Sequence, residues 1–339
     1  MITMAKYVFY GIIGGFIALL CFGAAFFLFE TRALLPLPKS EVFFTIAPGQ
    51  GGKEISNQLQ KEGIIRYPFV FYWYTKFSGK DRGLQAGLYR LSGHLAIPDL
   101  VSLFNQGPNA YTSITFPEGF TVKQIVARLQ ERGFALKEED FAVIPLETRS
   151  VYSFLADVPG NASLEGFLFP DTYNFRADAS AKDIRDSFLV NFKKRVQPLL
   201  ADAPDKGKHT LFDVLTMGSI LERELRKFED KKIASGLLWR RLSIGLPLQV
   251  DATVNYITQK HTASLTNDDL SLDSRYNTYI YAGLPPGPIS NPGIESIKAA
   301  LLPKESEYWF YLSRQDTGET IFSKTLQEHN MAKAKYLSR

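Results

Sequence analysis

The first strong pattern in the chain is an apolar run at its N-terminus. No charged residue interrupts Tyr7–Phe29, whereas Lys6 precedes the run and Glu30 follows it. A helix of this length, at about 1.5 Å per residue, crosses a hydrocarbon core of about 30 Å. The run ends on Phe26–Phe29 rather than on the small residues of a cleavage site, so we expect an uncleaved single span. The residues before the run are too few for a domain, and we expect the bulk of the chain on the outside of the membrane.

A pattern that occurs twice follows the apolar run. After Ala33–Ser40, a proline-containing stretch expected to form a stiff stalk, one copy begins at residues 44–49 and another at residues 114–119. Each copy predicts a strand, a glycine turn and an amphipathic helix closed by a glycine. The positions shared by the two copies are Thr45/Thr115, Gly49/Gly119, Lys53/Lys123, Ile55/Ile125, Leu59/Leu129, Gln60/Gln130 and Gly63/Gly133.

A further strand-turn-helix pattern lies between the two copies. Ala86–Leu91 predicts a strand, Gly93 a turn and Pro98–Phe104 a helix. Small units of this kind resemble the LysM-like modules of wall enzymes, which would make residues 42–135 a glycan-binding module. A packing domain without a ligand gives the same pattern, and the pattern leaves both interpretations open.

The rest of the chain is mainly helical, with short strands near its end. Helical periodicity covers Ala181–Leu200, Leu211 to about Lys227, and Lys231–Leu242. A strand is expected at Tyr308–Ser313, and residues 283–293 form a proline- and glycine-rich loop. Strands and helices do not alternate regularly, so the predicted fold class is α+β. The predicted organisation is a cytoplasmic tail (1–6), a transmembrane helix (7–29), a stalk (30–41), a LysM-like repeat module (42–135) and a mixed α+β catalytic domain (136–339).

Composition argues against nucleic-acid binding, a structural disulfide and a metal site. The net charge of +4 suits an ordinary surface as well as an anionic wall polymer. No dense run of Lys and Arg with interleaved aromatic residues is present, so no nucleic-acid partner is predicted. The single cysteine, Cys21, lies in the apolar run, and no two of the four histidines are four residues apart. We therefore expect no structural disulfide, no metal site and no cofactor.

The candidate chemistry rests on carboxylates, because no nucleophile, phosphate-binding or zinc-protease motif is visible. On the helix that begins at Leu211, about 100° per residue places Glu222 within the apolar face. Glu224 falls on the far side and is interpreted as a solvated or paired surface group. Desolvation of a carboxyl raises its pKa, as a general acid requires. Gly218 lies one turn earlier on the same face as Glu222, where its missing side chain would leave room for a bound ring.

Helix geometry alone leaves a second interpretation of Glu222 open. A carboxylate in an apolar face can equally belong to a buried structural ion pair, for which Arg226 is the candidate partner.

Five ordered segments resemble the YceG/MltG family of endolytic murein transglycosylases. The segment from Leu215 to Glu224 is similar to the catalytic helix of that family. The other segments are Glu165–Tyr173, Arg241–Val254, Tyr276–Tyr279 and Gly283–Gly293, with Phe322 and His329–Asn330 fitting the C-terminal signature. Two departures, Arg240 before Arg241 and Ala252 where many members have proline, leave the presumed acid untouched.

The resemblance implies a reaction and a set of site residues. Glu222 would protonate the oxygen between MurNAc and GlcNAc and then take the proton of the C6 hydroxyl that captures the oxocarbenium-like centre. The product would be 1,6-anhydro-MurNAc, and one carboxylate can serve because the nucleophile is intramolecular. Candidate substrate-binding residues in the matched segments are Glu165, Asp171, Gln249, Asp251, Asn277 and Tyr279, each of which could instead hold a loop.

Two other functions remain open from the sequence. A muramidase-type hydrolase would use water as the acceptor, with Asp251 or Glu165 as the second carboxylate. A non-enzymatic, membrane-tethered wall-binding scaffold would bind glycan strands without cutting them. Under the main interpretation the partners are peptidoglycan strands, the membrane and, as candidates, peptidoglycan synthases. The expected location is the bacterial inner membrane, crossed once, with the catalytic domain on the periplasmic side.

Overall fold

A computed structural model describes residues 2–156, 158–201, 209–260, 265–314 and 316–336. The apolar run lies within helix α1 (Ile2–Arg32), which is longer at both ends than the expected span. Among the described helices, α1 alone is long and apolar enough to cross a membrane, over Phe9–Arg32. Met1, the first residue of the expected tail, lies outside the described residues.

The chain divides into two compact units. Unit 1 comprises residues 1–112 and 174–178, and unit 2 comprises residues 113–173 and 179–339. Beyond α1, the elements that lie in unit 1 are β1 (Glu41–Ile46), α2 (Gly52–Lys61), α3 (Pro68–Phe77), β2 (Gly87–Ser92) and α4 (Ile97–Gln106). β1 pairs antiparallel with β2, with Glu41 opposite Ser92 and Ile46 opposite Gly87.

Aromatic rings form much of the core of unit 1. The ring of Phe104 stacks on that of Phe44 at 5.6 Å and meets the ring of Tyr89 edge-on at 4.7 Å between centroids. Leu35 and Leu37, from the expected stalk, pack against this core, and the Leu35 N–H donates to the Leu95 carbonyl at 2.8 Å. Burial of leucine side chains is favourable. The stretch that follows α1 is therefore held against unit 1.

The remaining elements follow in chain order. They are β3 (Tyr111–Thr115), α5 (Val122–Glu131), α6 (Glu139–Ala142), α7 (Leu146–Val151), β4 (Thr172–Arg176), α8 (Ala181–Ala201), α9 (Leu211–Glu224), α10 (Phe228–Ser243), α11 (Asp251–Thr258), α12 (Asn267–Leu270), α13 (Ile294–Leu301), β5 (Phe310–Ser313), β6 (Thr320–Ser323) and α14 (Leu326–Tyr336). β3 and β4 form one two-stranded sheet, and β5 pairs antiparallel with β6. The predicted α+β class is confirmed.

The internal repeat is visible in the backbone. In each copy a strand, β1 or β3, leads to a glycine with positive φ and then to a ten-residue helix, α2 or α5. The turn glycines Gly49 and Gly119 have φ values of 79° and 78°, and Gly63 and Gly133 follow the helices at 73° and 91°. Only glycine adopts such angles readily, which explains why these positions recur.

Helix α9 lies at the centre of unit 2. All eight residues from Val214 to Leu221 are buried, which accounts for apolar residues on more than one face of this helix. α9 packs mainly against α13 and also contacts α10 and α11. The helix ends at Glu224, earlier than expected, because Leu225 adopts an extended conformation with φ −135° and ψ 148°.

Candidate functional site

The position of Glu222 follows from the two ends of α9. At the start, the Asp213 N–H donates to the Thr210 hydroxyl at 3.1 Å and the Asp213 carboxylate accepts the Thr210 N–H at 3.0 Å. This reciprocal capping arrangement sets the first turn of the helix. The helix then runs to Glu224, so Glu222 lies in its last turn.

Three donors converge on the carboxylate of Glu222. The Lys231 ammonium, from α10, donates to Oε1 at 3.3 Å. The Gly293 N–H and the Ser296 hydroxyl donate to Oε2 at 2.9 Å and 2.7 Å. The side chains of Lys231 and Glu222 are only 4% and 9% exposed. The carboxylate is thus held in one orientation by groups from two other helices.

The cation beside Glu222 differs from the expected one. Arg226 was the candidate partner on an uninterrupted helix, but α9 ends at Glu224, so Arg226 does not continue the face that carries Glu222. The observed partner is Lys231, which sequence spacing could not indicate because it belongs to α10.

The start of α13 adds a backbone dipole to the site. Gly293 is the residue before the first turn of α13, and its N–H points at the Glu222 carboxylate. Unsatisfied N–H groups give a helix N-terminus a partial positive charge that favours an anion. The Glu222 carboxylate therefore lies where both Lys231 and α13 stabilise negative charge.

The expectation that Gly218 leaves room for a bound ring is wrong. Gly218 is buried, and a Cβ at this position would lie 3.5 Å from the Ser296 carbonyl oxygen and 3.6 Å from the Ile297 Cα. The space beside Gly218 is therefore filled by α13, which would meet an alanine side chain at ordinary van der Waals distance. The packing of α13 on α9 brings Ser296 and Gly293 within reach of Glu222, one turn further along α9.

Sequence reasoning missed a second carboxyl group at this site. Glu118 is exposed, and its Oε1 lies 1.9 Å from where a Cβ on Gly293 would stand. A Cβ on the neighbouring Gly119 would lie 3.5 Å from Glu222 Cγ. Partial burial, and then the negative charge of Glu222, raises the pKa of Glu118. The available signal was a difference between the repeat copies, since Pro48 stands at the position of Glu118 in the first copy.

Helix geometry suggested a solvated or paired group on the surface at Glu224, and the surface position is wrong. Glu224 is half-buried, and its carboxylate accepts the Ala252 N–H at 3.1 Å and the Tyr311 hydroxyl at 3.2 Å. Burial, and next the negative charge of Asp251, raises the pKa of Glu224 to about 7. Residues of α11 and β5 cover the side of α9 that a lone helix would present to water.

Two of the predicted substrate-binding residues, Asp251 and Tyr279, lie close to Glu224, and a third, Gln249, is bound by Arg241. Asp251 accepts the Tyr279 hydroxyl, and Gln249 accepts from the Arg241 guanidinium at 2.9 Å. Gln249 adopts φ 53°, a left-handed conformation that is uncommon for a residue with a side chain. Asp251 and Tyr279 thus bind each other, whereas Gln249 binds Arg241.

The side chains of two other predicted residues, Asn277 and Asp171, form hydrogen bonds that hold loops in place. Asn277 is buried, and its amide donates to the carbonyls of Leu270 and Leu272 at 3.0 Å and 2.9 Å. Asp171 accepts from Asn191 at 3.1 Å and from Arg195 at 3.0 Å, both on α8. The Asp171 side chain therefore ties its loop to α8.

Glu165 lies in the interior of unit 2. Glu165 is 4% exposed, and its carboxyl accepts hydrogen bonds from the Val122 N–H at 3.1 Å and from the Asn291 amide at 2.8 Å. The Tyr256 hydroxyl lies at 3.5 Å. Burial raises the pKa of Glu165 to about 8, although its hydrogen bonds act in the opposite direction.

Asn291 connects Glu165 to the loop that carries the site. Its side-chain oxygen accepts the N–H groups of Gly166 and Leu168 at 2.9 Å and 2.8 Å, and its amide also donates to the Phe120 carbonyl at 2.9 Å. The Gly119 N–H donates to the Asn291 carbonyl at 2.9 Å. The loop of Glu118 and the loop of Gly293 are therefore joined through one buried side chain.

Within the described part of the chain, no group of three or more His, Cys, Asp or Glu side chains is arranged to hold a metal ion.

Known proteins resemble this chain over most of its length. The profile of the YceG-like family matches residues 44–335, so this chain belongs to the YceG-like family. It is 33% identical to an endolytic murein transglycosylase of Bacillus subtilis, over 92% of this chain and 90% of that protein. It is 27% identical to an endolytic murein transglycosylase of Streptococcus pneumoniae, over 95% of this chain and 64% of that protein.

A solved structure gives the same assignment. The crystal structure of a YceG-like protein from Listeria monocytogenes is 33% identical in sequence and superposes with a TM-score of 0.60. The match covers 87% of this chain and 99% of that protein. The resemblance inferred from the ordered motifs is therefore confirmed at the level of the family.

Proposed function

We propose that this chain is an endolytic peptidoglycan lytic transglycosylase, with Glu222 as its catalytic acid and base. The observation that carries the proposal is the Glu222 carboxylate, held by Lys231, Ser296 and the Gly293 N–H in a member of the YceG-like family. Two relatives named endolytic murein transglycosylase match almost the whole chain. The proposed bond is the one between MurNAc and GlcNAc, and the proposed product carries a 1,6-anhydro-MurNAc end.

The donors around Glu222 suit the second half of this reaction. Three donors hold this carboxylate in a fixed orientation, and in the second half of the reaction it must take a proton from the MurNAc C6 hydroxyl. In the first half, Glu222 must deliver a proton to the glycosidic oxygen. The same carboxyl then regains a proton when the C6 oxygen attacks C1, so the cycle closes without a second nucleophile.

Glu118 is proposed as a supporting carboxyl in this cycle. Glu118 and Glu222 both lie against Gly293, and the pKa of Glu118 is raised in part by the charge of Glu222. A carboxyl with a raised pKa keeps its proton to higher pH than an ordinary glutamate does, which suits a proton donor. Glu118 is exposed, so a glycan strand or solvent reaches it more readily than Glu222.

The candidate substrate-binding residues are assigned different roles. Gln249, Asp251 and Tyr279 form a polar group on the Glu224 side of α9 and are proposed to contact sugar hydroxyl or acetamido groups. Glu165, Asn277 and Asp171 are proposed to hold the loops around the site, because their polar atoms bond within the protein.

Glu118 also favours the hydrolase as a second candidate function. A hydrolase needs a second carboxylate near the acid, and Glu165 is buried while Asp251 lies beside Glu224. The charge of Glu222 contributes to the raised pKa of Glu118, which indicates that the two carboxyls are near each other. In a hydrolase Glu118 would activate water, and the product would have a reducing end in place of the anhydro ring.

The proposed setting is the bacterial inner membrane, with α1 as a single-pass anchor and the units on the periplasmic side. The glycan strands are the proposed substrate, residues 42–135 are proposed as a LysM-like wall-binding module, and peptidoglycan synthases are proposed partners.

One comparison tests the proposal and its alternatives. Wild-type protein and Glu222→Gln are incubated with purified peptidoglycan, and the products are read by mass spectrometry. We expect anhydro products from the wild type and none from Glu222→Gln, a change that keeps the size of the side chain. Products heavier by one water would establish the hydrolase. Glycan binding without any cleavage by the wild type would support the scaffold and overturn the enzymatic proposal.

A further inference from the structure

Helix α3 carries an unusual exposed aromatic face. Phe69, Trp73 and Phe77 are four residues apart, which places them along one side of a helix, and they are 47%, 47% and 74% exposed. Tyr67, just before the helix, is 40% exposed. The opposite side of α3 packs into unit 1 through Val70, Phe71 and Thr75. Large aromatic groups clustered on a surface mark a site that binds another apolar surface.

This aromatic face is continuous with the apolar surface of α1. The ring of Phe26 stacks on that of Phe69 at 6.5 Å and meets that of Tyr67 at 5.5 Å between centroids. The ring of Phe27 meets that of Phe77 at 6.0 Å, and Phe77 stacks on Trp73 at 5.4 Å. The exposed rings of α3 thus extend sideways from the last turns of the anchor helix.

The position of these contacts along α1 sets their depth in a membrane. Phe26 lies about 26 Å along the helix axis from Phe9, at about 1.5 Å per residue. A hydrocarbon core is about 30 Å thick, so Phe26 and Phe27 lie close to its outer boundary when α1 crosses it. That boundary is where Trp and Tyr side chains are enriched in membrane proteins.

The charges around α3 fit the same surface. Residues 66–82 contain the basic residues Arg66, Lys76, Lys80 and Arg82 and a single acidic residue, Asp81, which pairs with Lys76. Arg66, Lys80 and Arg82 are exposed. Basic side chains beside an apolar face favour a surface of anionic headgroups.

We infer that α3 lies in the membrane interface beside α1, with Tyr67, Phe69, Trp73 and Phe77 among the lipid headgroups and upper acyl chains. The occupant of the aromatic face is the lipid of the membrane that α1 enters. This inference rests on the proposed anchor, and it adds a second contact that holds unit 1 against the bilayer instead of letting it swing on a single helix.

Tryptophan quenching tests the inference on the full-length protein in vesicles. Lipids brominated near the headgroup end of the acyl chain quench a tryptophan at the interface, and lipids brominated near the chain end quench it less. The chain has three Trp residues, so the signal of Trp73 is the difference between the wild type and Trp73→Phe. In vesicles that contain anionic lipid, we expect the fluorescence of the wild type to be quenched more by bromine near the headgroup than by bromine near the chain end. We expect Trp73→Phe to lose this difference.

The single cysteine separates failure of the inference from failure of the anchor. Cys21 lies within the apolar run and is exposed on α1. A membrane-impermeant maleimide should label it only after detergent is added. Labelling in intact vesicles would overturn the anchor. Protection of Cys21 with no quenching of Trp73 would leave the anchor in place and overturn the interfacial position of α3.

A protein partner would give a third result. Trp73 shielded from acrylamide but not quenched by either brominated lipid would show that another protein surface covers α3, and this would also overturn the inference. As a second variant, Phe69→Ser/Phe77→Ser changes exposed side chains only, so it should leave the fold intact. We expect this variant to shift the emission of Trp73 to longer wavelength in vesicles.

Discussion

Variants of the ion pair between Lys231 and Glu222 distinguish its effect on the free energy of unfolding from its effect on glycan cleavage. Both side chains are almost fully buried, and the ammonium lies 3.3 Å from Oε1. Removal of one partner of a buried pair leaves an uncompensated charge, at a cost of about 3 kcal/mol. We therefore expect Lys231→Met to lower the free energy of unfolding by roughly this amount and to reduce glycan cleavage.

The double variant Lys231→Met/Glu222→Gln provides the control. It has no buried charge at this position, so we expect urea denaturation to show most of the lost stability regained, while cleavage stays absent. If Lys231→Met alone were as stable as the wild type, Lys231 and Glu222 would not form a buried ion pair in solution.

The sequence predicted the surroundings of some single residues correctly and of others wrongly. Helix periodicity placed Glu222 on the buried face of α9, and the structure agrees. The same reasoning was wrong for Glu224 and Gly218, because the surroundings of those residues come from α11, β5 and α13, which are distant in the chain. Local spacing defines a face of a helix, but it does not show what packs on that face.

At the scale of elements, the approach of the Glu118 loop to α13 yields a test with a matched control. Gly293→Ala adds a Cβ 1.9 Å from the present position of Glu118 Oε1, so the flexible Glu118 side chain must move away. A general acid or base contributes about 100-fold or more to a rate. We expect Gly293→Ala and Glu118→Gln each to lower the cleavage rate by about tenfold to 100-fold with little change in melting temperature.

Gly218→Ala is the matched control for this prediction. Its Cβ meets only ordinary contacts of 3.5–3.6 Å with α13, and alanine favours a helix by up to about 1 kcal/mol over glycine. We expect cleavage near the wild-type rate. The double variant Gly293→Ala/Glu118→Gln should be no slower than either single variant, and an additive loss would show that the two changes act through separate routes.

The order of the elements was largely predictable, whereas their assembly was not. The repeat, with its strands, glycine turns and helices, followed from spacing, because glycines at positive φ and amphipathic helices leave clear local signals. Asn291 illustrates what spacing cannot show. Its side chain joins Gly166, Leu168, Phe120 and Glu165, and each of these contacts spans more than a hundred residues.

At the scale of the whole molecule, buried carboxyls make stability depend on pH. The folded-state pKa is about 8 for Glu165 and about 7 for Glu224, against an ordinary value of 4.5. Below pH 4.5 both carboxyls are protonated in the folded and the unfolded chain, so neither makes the free energy of unfolding depend on pH. As pH rises from 4.5 to 8, the unfolded chain loses these protons first, so the folded state loses stability.

Other groups act on the acid side of this window. Burial lowers the pKa of His329, which reduces stability as pH falls below about 6.5. Hydrogen bonds from Lys260 and Thr266 lower the pKa of Asp269 to about 2, so its stabilising effect is lost as pH falls below 3.8. Each pKa unit of a buried group corresponds to about 1.4 kcal/mol, so the raised pKa values of the two glutamates make stability fall between pH 5 and 8.

We therefore expect the free energy of unfolding to be greatest at mildly acidic pH and to fall by a few kcal/mol toward pH 8. Glu165→Gln should flatten this fall, because glutamine can accept from Val122 and Asn291 and donate toward Tyr256 without titrating. Urea denaturation from pH 4.5 to 8.5 measures the effect, with the exposed Glu131→Gln as control. An equal slope in Glu165→Gln and the wild type would show that Glu165 is ionised in the folded protein across this range, and the buried network would then have to hold a charge.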